Sequence, residues 1–300
     1  MPLQHSLPYS SALATWFASS SSAMAYSCAL LIAVAAAFLV ASGGVAASRY
    51  VPAGKCSPVE ALVSEQLYNS LFPHKDDAAC HARGFYTYSS FVQAARTFPK
   101  FAGAGDLATR KREIAAFFAQ ISHETTGGWA TAPDGPYAWG LCYKEEISPA
   151  SDYCDATDKE WACYPGKSYH GRGPIQISWN FNYGPAGRAL GFDGLRNPEV
   201  VANCSTTAFR TALWFWMTPR RPKPSCHEVM VGEYRPTADD AAANRTAGFG
   251  LVTNIVNGGL ECNRTDDARV NNRIGFYRRY CQIFNVDTGP NIDCAHQQPY

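Results

Sequence analysis

The first 48 residues contain no Asp, Glu, Lys or Arg, although the whole chain has 25 acidic and 26 basic side chains. Such a boundary in charge separates a targeting segment from a folded domain. The apolar run at 28–40 is shorter than the roughly 20 residues that a membrane span needs, and small residues follow it up to Ala47. We therefore predict a signal peptide over residues 1–47. The alternative is an uncleaved N-terminal membrane anchor.

The chain also lacks an excess of charge of either sign. Its net charge of +1 gives no basic surface that would hold a polyanion, which argues against nucleic acid as a partner. A hydrophobic fraction of 46% excludes a wholly disordered chain. No internal repeat or long linker divides the rest, and the proline-rich segment 218–224 predicts a stiff surface loop. We predict one domain over residues 48–300.

None of the 11 cysteines lies in a C-x-x-C pair, so neither a zinc ribbon nor a thioredoxin-type redox motif is indicated. So many cysteines are typical of disulfides formed in an oxidising compartment. Removal of the signal peptide takes Cys28 with it and leaves ten cysteines, an even number that can all pair. Three sequons, at Asn203, Asn244 and Asn263, are candidate glycosylation sites in a secreted chain.

Helical periodicity dominates the mature chain. Apolar residues recur at helical spacing within 112–124 and within 270–284. The segment 209–217 is apolar on all sides, as expected of a buried helix. Strand-like alternation is convincing in one segment only, Ile175 to Phe181. The predicted fold class is mainly α-helical with a small β region.

Two glutamates are candidates for acid–base chemistry. Glu124 lies on the same helical face as the apolar stripe of 112–124, where partial desolvation disfavours an ionised carboxyl and suits a general acid. Glu146 lies in a polar loop beside Lys144, where a carboxylate stays ionised. One carboxyl group of each kind makes the pair that cleaves glycosidic bonds. The alternative for Glu124 is a side chain that points to solvent at the end of a helix. The alternative for Glu146 is a surface charge cluster, and the sequence barely separates Glu146 from Glu145 as the candidate.

An uncharged polar face is predicted for the segment that follows. If 175–181 is a strand, Gln176, Ser178, Asn180 and Asn182 project from one side of it. Amides and hydroxyls both donate and accept hydrogen bonds, which suits sugar hydroxyls and N-acetyl groups. The alternative is a strand that is half exposed to water.

Arg273 lies beside the apolar stripe of 270–284, so we expect it to be half-buried and to need an anionic partner. Glu261 is a plausible one. The pair is either a structural salt bridge or a means of tuning Glu124.

Four segments together closely resemble plant chitinases of glycoside hydrolase family 19. They are SHETTGGW at 122–129, GRGPIQISWNFNYGPAGRALG at 171–191, LWFWM at 213–217 and TNIVNGGLEC at 253–262. The similarity extends from about Leu67 to Cys294. It implies a lysozyme-like, two-lobed α-helical domain with a central cleft. It also implies endo-hydrolysis of β-1,4-linked N-acetylglucosamine polymers with inversion at the anomeric carbon, without a metal or an organic cofactor.

The resemblance further implies roles for individual residues. Glu124 is the general acid, Glu146 is the general base, and Ser178 positions the attacking water. The predicted substrate-binding residues are Gln176, Trp179, Asn180, Asn182 and Asn257. The predicted charge network around the acid consists of Glu261 and Arg273. The implied disulfides are Cys80–Cys142, Cys154–Cys163 and Cys262–Cys294, which leaves Cys56, Cys204, Cys226 and Cys281 unassigned.

We predict a secreted, monomeric endochitinase that acts on chitin or chitooligosaccharides in defence against fungi, without stable membrane association. No Cys- and Gly-rich lectin module lies between the signal peptide and Cys80. Phe181 stands where many relatives have Tyr, which removes one hydroxyl from the cleft. The alternative function is a chitinase-like carbohydrate-binding or cell-wall protein that has lost activity. Retention of both glutamates favours catalysis.

Overall fold

The computed structural model describes residues 57–300. The predicted signal peptide over 1–47, together with Cys28 and Cys56, lies outside the described residues. Two short 3₁₀ helices, Pro58–Ala61 and Pro136–Ala138, accompany ten α-helices in this part of the chain. The α-helices are α1 (Glu65–Leu71), α2 (Tyr88–Ala95), α3 (Leu107–Glu124), α4 (Asn180–Leu190), α5 (Val200–Asn203), α6 (Ser205–Met217), α7 (Cys226–Met230), α8 (Ala238–Ala242), α9 (Phe249–Glu261) and α10 (Ala268–Phe284).

Helix is the dominant structure, as predicted, and β structure is reduced to isolated bridges. Within 57–300 these bridges are Glu145–Arg172, Arg172–Ile177 and Arg220–Lys223. The strand predicted over Ile175–Phe181 is wrong. The backbone at Gln176 and Trp179 has φ of 48° and 72°, which breaks an extended chain, and α4 begins at Asn180. No helix of the described part is long and apolar enough to cross a membrane.

Helix α3 lies at the centre of the hydrophobic core. Its start is fixed by Asp106, whose side chain accepts a hydrogen bond from the Thr109 N–H at 2.8 Å. The predicted apolar stripe is fully buried, and α3 packs along α10. The predicted helices over 209–217 and 270–284 are also present, as parts of α6 and α10. Helix α3 ends at Glu124.

A buried polar network anchors the first half of α3. Glu113 is fully buried and accepts hydrogen bonds from the Trp216 indole at 3.1 Å and from the Ala102 N–H at 3.0 Å. The His227 Nδ1 atom lies 2.6 Å from the same carboxylate. These partners tie the first half of α3, the helix that ends at Glu124, to α6 and α7.

Three disulfides have the pairing that the family resemblance implies. They are Cys80–Cys142, Cys154–Cys163 and Cys262–Cys294. Cys204 is also disulfide-bonded. The expectation that every cysteine of the mature chain can pair is wrong for two of them. Cys226 and Cys281 are free thiols buried among apolar side chains, where a cysteine serves as a small hydrophobic residue.

The C-terminal tail is folded against α9. The Asn254 side chain donates to the Gln298 carbonyl at 3.1 Å and accepts from the Tyr300 N–H at 3.3 Å. The Arg245 guanidinium lies 4.0 Å from the centre of the Tyr300 ring. The last residues therefore stabilise the helix that carries Asn257 and Glu261.

Candidate active site

A cleft of about 340 Å³ brings the two candidate glutamates together. Glu124 enters it from the end of α3, and Glu146 enters it from the loop that follows the disulfide at Cys142. The other lining residues are Tyr153, Gly171, Ile175, Gln176, Ile177, Ser178, Asn182, Phe215, Val256 and Asn257. Two carboxylic acids thus face a space that is otherwise lined by apolar side chains and uncharged polar groups.

Glu124 is not surrounded by apolar side chains as expected. Its carboxylate pairs with the Arg273 guanidinium at 2.6 Å, and its side chain keeps 18% of its surface exposed to the cleft. The apolar stripe of α3 does not reveal this partner, because Arg273 belongs to α10, which is distant in the chain.

Arg273 is fully buried rather than half-buried, with 1% of its surface exposed. It donates to both oxygens of Glu261, at 2.8 and 2.7 Å, in a fork that suits a carboxylate. A third bond runs to Gln120 Oε1 at 2.6 Å. Gln120, which the sequence reasoning missed, is fully buried on α3 one turn before Glu124.

The contacts among Glu124, Glu261 and Arg273 shift the pKa values of Glu261 and Arg273. Burial alone would raise the pKa of Glu261, but the hydrogen bonds and the charge of Arg273 outweigh it and hold that pKa below its usual range. Burial would likewise lower the pKa of Arg273, and the nearby Glu124 and Glu261 raise it instead. The predicted network of Glu261 and Arg273 around Glu124 is therefore present as a contiguous set of ion pairs.

Glu146 lies on the other side of the cleft, half-buried in an irregular loop. Its carboxylate accepts hydrogen bonds from the Tyr153 hydroxyl at 2.9 Å and from the Gly171 N–H at 3.4 Å. The hydrogen bond to Glu146 raises the pKa of Tyr153, so that phenol stays a donor. Tyr153 was not singled out from the sequence, because nothing near position 153 marks it as part of a site.

The structure separates Glu145 from Glu146. The Glu145 carboxylate turns away from the cleft and lies 3.5 Å from His170 and 3.7 Å from Arg172. Lys144, the expected neighbour of Glu146, instead places its ammonium group 5.2 Å from the centre of the Phe85 ring. Only Glu146 of the two adjacent glutamates lines the cleft.

Four of the predicted polar residues line the cleft together: Gln176, Ser178, Asn182 and Asn257. Their amide groups are held by the protein. Gln176 donates to the Gly173 carbonyl at 2.9 Å, and Asn182 donates to the Ser178 carbonyl at 2.8 Å. Asn257 donates to Glu261 Oε1 at 2.7 Å, which links the lining of the cleft to the buried ion pairs.

Asn180 is not part of this surface. It is fully buried at the start of α4, where it donates to the Trp161 carbonyl at 2.8 Å and bonds both backbone groups of Asp155. The alternation expected of a strand ends at Ser178, because the turn at Trp179 rotates the following side chains. The Asn180 side chain therefore holds the two ends of the 155–161 loop together through hydrogen bonds to its backbone.

Trp179 lies at the edge of the site rather than in it. Its side chain is 37% exposed and does not line the cleft. Its ring stacks on Phe181 at 5.7 Å and contacts the edge of Tyr153 at 5.4 Å. The Trp179 ring thus contacts the cleft-lining side chain of Tyr153.

The three sequon asparagines, Asn203, Asn244 and Asn263, are all exposed. Asn263 donates to the Gln298 side chain at 3.2 Å and does not line the cleft. Within residues 57–300, no group of three or more His, Cys, Asp or Glu side chains is arranged to hold a metal ion.

A model of glycoside hydrolase family 19, described as class I chitinase, matches residues 62–294. The chain belongs to this family. Rice (Oryza sativa subsp. japonica) has a protein named Chitinase 10 that is 79% identical over 258 residues, covering 86% of this chain and 88% of the rice protein. A rubber-tree (Hevea brasiliensis) protein named inactive chitinase-like protein 1 is 57% identical over 239 residues, covering 80% of this chain and 76% of that protein.

Solved structures support the same assignment. The crystal structure of a family GH19, class IV chitinase from Zea mays is 41% identical, has a TM-score of 0.61, and covers 78% of this chain and 98% of the maize chain. The fold of this family 19 member is thus the mainly α-helical, lysozyme-like fold of the family. Its assignment as a glycoside hydrolase agrees with a cleft that holds two carboxylic acids.

Proposed function

We propose that this family 19 glycoside hydrolase is an endochitinase that cleaves β-1,4-linked N-acetylglucosamine polymers with inversion at the anomeric carbon. One observation supports this function above the others: Glu124 and Glu146 line a single cleft together with uncharged polar side chains. An inverting glycosidase needs one carboxylic acid to protonate the leaving oxygen and one carboxylate to activate water on the opposite face of the sugar.

Glu124 is the proposed general acid. When Glu124, Arg273 and Glu261 are all ionised, the group carries a net charge of −1 around a buried guanidinium. Protonation of Glu124 leaves the neutral pair of Arg273 and Glu261, whose two direct hydrogen bonds remain intact. Glu261 thereby keeps a counter-charge beside Arg273 when Glu124 is protonated, and Glu124 is proposed to donate its proton to the glycosidic oxygen.

Glu146 is the proposed general base, and Ser178 is proposed to orient the attacking water. The Tyr153 hydroxyl fixes one oxygen of Glu146, so the carboxylate has a defined orientation when it accepts the proton of the water. Ser178 is half-exposed and lines the same cleft, and a hydroxyl group donates to or accepts from water equally well.

Chitin or a chitooligosaccharide is the proposed substrate. N-acetyl and hydroxyl groups are neutral and hydrogen-bond through both donors and acceptors, which the amides of Gln176, Asn182 and Asn257 match. We further propose removal of residues 1–47 as a signal peptide, secretion as a monomer, and a role in defence against fungi. N-terminal sequencing of the mature protein tests the cleavage, because an intact N-terminus contradicts it.

Time-resolved NMR of a chitin oligomer during hydrolysis tests the reaction and its stereochemistry together. The first product is expected to be the α-anomer, because inversion at a β-linkage gives α. Glu124→Gln, which keeps the size but removes the acid, is expected to lower the rate by about 10²-fold or more. A first product in the β configuration contradicts the proposed mechanism.

The alternative is a carbohydrate-binding protein without activity. The name of the rubber-tree relative, inactive chitinase-like protein 1, suggests this alternative. Folded wild-type protein that binds a chitin oligomer in calorimetry but releases no product supports this alternative. Both cleft glutamates are present here, which favours the enzyme.

A further inference from the structure

The loop 218–224 follows α6 and is closed by a pair of backbone hydrogen bonds. The Arg220 and Lys223 backbones exchange N–H to carbonyl bonds at 3.0 Å each. Two successive arginines begin this turn and point in different directions. Arg221 keeps 74% of its side chain exposed and lies 3.7 Å from Glu228, whereas Arg220 is half-buried.

The Arg220 guanidinium contacts the first turn of α4. Its Nη1 atom donates to Asn182 Oδ1, and its Nη2 atom donates to the Phe181 carbonyl at 2.8 Å. The flat face of the guanidinium lies 5.9 Å from the centre of the Trp214 ring. No carboxylate within residues 57–300 pairs with Arg220 at ion-pair distance, so this charged group is committed to an amide oxygen and a peptide oxygen.

These contacts determine the orientation of the Asn182 amide. Its oxygen is held by Arg220, and one hydrogen of its nitrogen is donated to the Ser178 carbonyl. A primary amide has a second N–H, and Asn182 lines the cleft. Because Arg220 holds the oxygen and the Ser178 carbonyl holds one N–H, the amide is kept in an orientation that leaves its second N–H for a partner in the cleft.

The loop itself is also fixed to α9. The Lys223 ammonium group donates to the Ile255 carbonyl of α9 at 3.1 Å. The next two residues of α9, Val256 and Asn257, line the cleft. The loop that carries Arg220 therefore contacts two elements that contribute residues to the cleft, α4 and α9.

We propose that Arg220 is a positioning residue, which sets the Asn182 amide as a hydrogen-bond donor for an acceptor oxygen of the sugar. The inference rests on the proposed chitinase function and adds a specificity determinant outside the set of sugar-contacting side chains. A planar fork reaches the Asn182 oxygen and the Phe181 carbonyl at the same time, which an ammonium group does not do.

Steady-state kinetics on a soluble chitin oligomer test the assignment, with Arg221 as the matched control. Arg220→Met is expected to raise KM about tenfold, the loss of roughly one hydrogen bond, while kcat stays within about twofold. Arg221→Met is expected to match the wild type in both constants. Arg220→Lys keeps the charge but loses the fork, so KM rises for this variant as well, even if Met is not tolerated at position 220.

A double-mutant cycle separates positioning from a general structural role. In an Asn182→Ala background, Arg220→Met is expected to leave KM unchanged, because the amide that it orients is absent. An equal rise of KM in both backgrounds, or a KM of Arg220→Met equal to that of the wild type, overturns the inference while hydrolysis by the wild type stands. Absence of hydrolysis by the wild type overturns the proposed function instead.

Discussion

At Arg273, two carboxylates share one buried guanidinium. Glu261 holds it in a fork, and Glu124 takes the remaining side of the same Nη2 atom. A fully buried charge that loses a partner is not compensated by water, so breaking such a pair is much more damaging than breaking a pair at the surface. Arg273, which contacts the proposed general acid, is therefore also expected to be a determinant of stability.

Glu261→Gln is expected to lower the free energy of unfolding by about 3 kcal/mol, because one buried charge loses its counter-charge. Urea unfolding of the variant and of the wild type measures this loss.

Glu160→Gln is the control for this change. Glu160 pairs with Arg188 at 3.2 Å, and both side chains are more than half exposed, so removal is expected to cost under about 1 kcal/mol. Similar losses for the two variants contradict the account of Arg273.

The neighbouring glutamates 145 and 146 give a second matched pair. Glu146→Gln is expected to lower kcat by about 10²–10⁴-fold, because the proposed general base is removed. Glu145→Gln is expected to retain most of the activity, since its carboxylate contacts His170 and Arg172 outside the cleft. Rates on a chitin oligomer check both variants, and greater damage from the change at 145 contradicts the assignment of the base.

Helix α9 shows how an element serves the site through an irregularity. Its backbone leaves helical geometry at Asn257, with φ of −149° and ψ of 34°. That residue lines the cleft while its amide donates to Glu261 at the end of the same helix. The next residue, Gly258, packs so closely that a Cβ there would lie 2.2 Å from the Asn254 amide oxygen.

Gly258→Ala is expected to destabilise the protein by about 1–3 kcal/mol, because Asn254 must move and release the C-terminal tail. Gly259→Ala is the control, since a Cβ at that position meets nothing within 4 Å. Alanine there is expected to be neutral or stabilising by up to about 1 kcal/mol. Thermal unfolding of both variants is the measurement, and equal effects contradict the packing argument.

Elements differ in how far the sequence predicts them. Helices α3, α6 and α10 were predictable, because long apolar periodicity reports burial directly. The segment after Gly173 was not. Its alternation holds for Ile175 to Ser178, but left-handed backbone at Gln176 and Trp179 turns the chain into α4.

The site was also predictable in part, because some of its residues lie in recognisable sequence motifs. Family motifs mark Glu124 and the cleft amides, because these lie in continuous stretches of sequence, whereas Glu146 lies between two motifs and is marked by the family resemblance alone. Tyr153 and Arg220 become part of the site only through tertiary contacts with Glu146 and Asn182, and no local pattern encodes such contacts.

Across residues 57–300, several titratable groups make stability depend on pH in the same direction. Burial and the charge of Arg273 lower the pKa of His123 below its usual 6.5. The hydrogen bond from Arg269 is the main cause that holds the pKa of Asp267 well below its usual range. At Glu261, burial raises the pKa, but the hydrogen bonds and the charge of Arg273 outweigh burial and lower it. Each group binds its proton more weakly in the folded protein than in the unfolded chain.

The free energy of unfolding is accordingly expected to fall as the pH decreases from about 6.5, through His123 first and then through the carboxylates below about pH 4.5. Urea unfolding at a series of pH values measures this dependence. Glu261→Gln is expected to show a shallower fall in the acid range, because one carboxylate no longer takes up a proton on unfolding. A slope as steep as that of the wild type contradicts the contribution of Glu261.

The packing of the C-terminal tail has a practical consequence for protein engineering. Tyr300 lies under the Arg245 guanidinium and bonds Asn254, one turn from Asn257. A purification tag or reporter fused directly after Tyr300 would have to leave from this contact and would pull on one wall of the cleft. A flexible Gly/Ser spacer is the arrangement that keeps the kinetics of a tagged preparation comparable with those of the untagged protein.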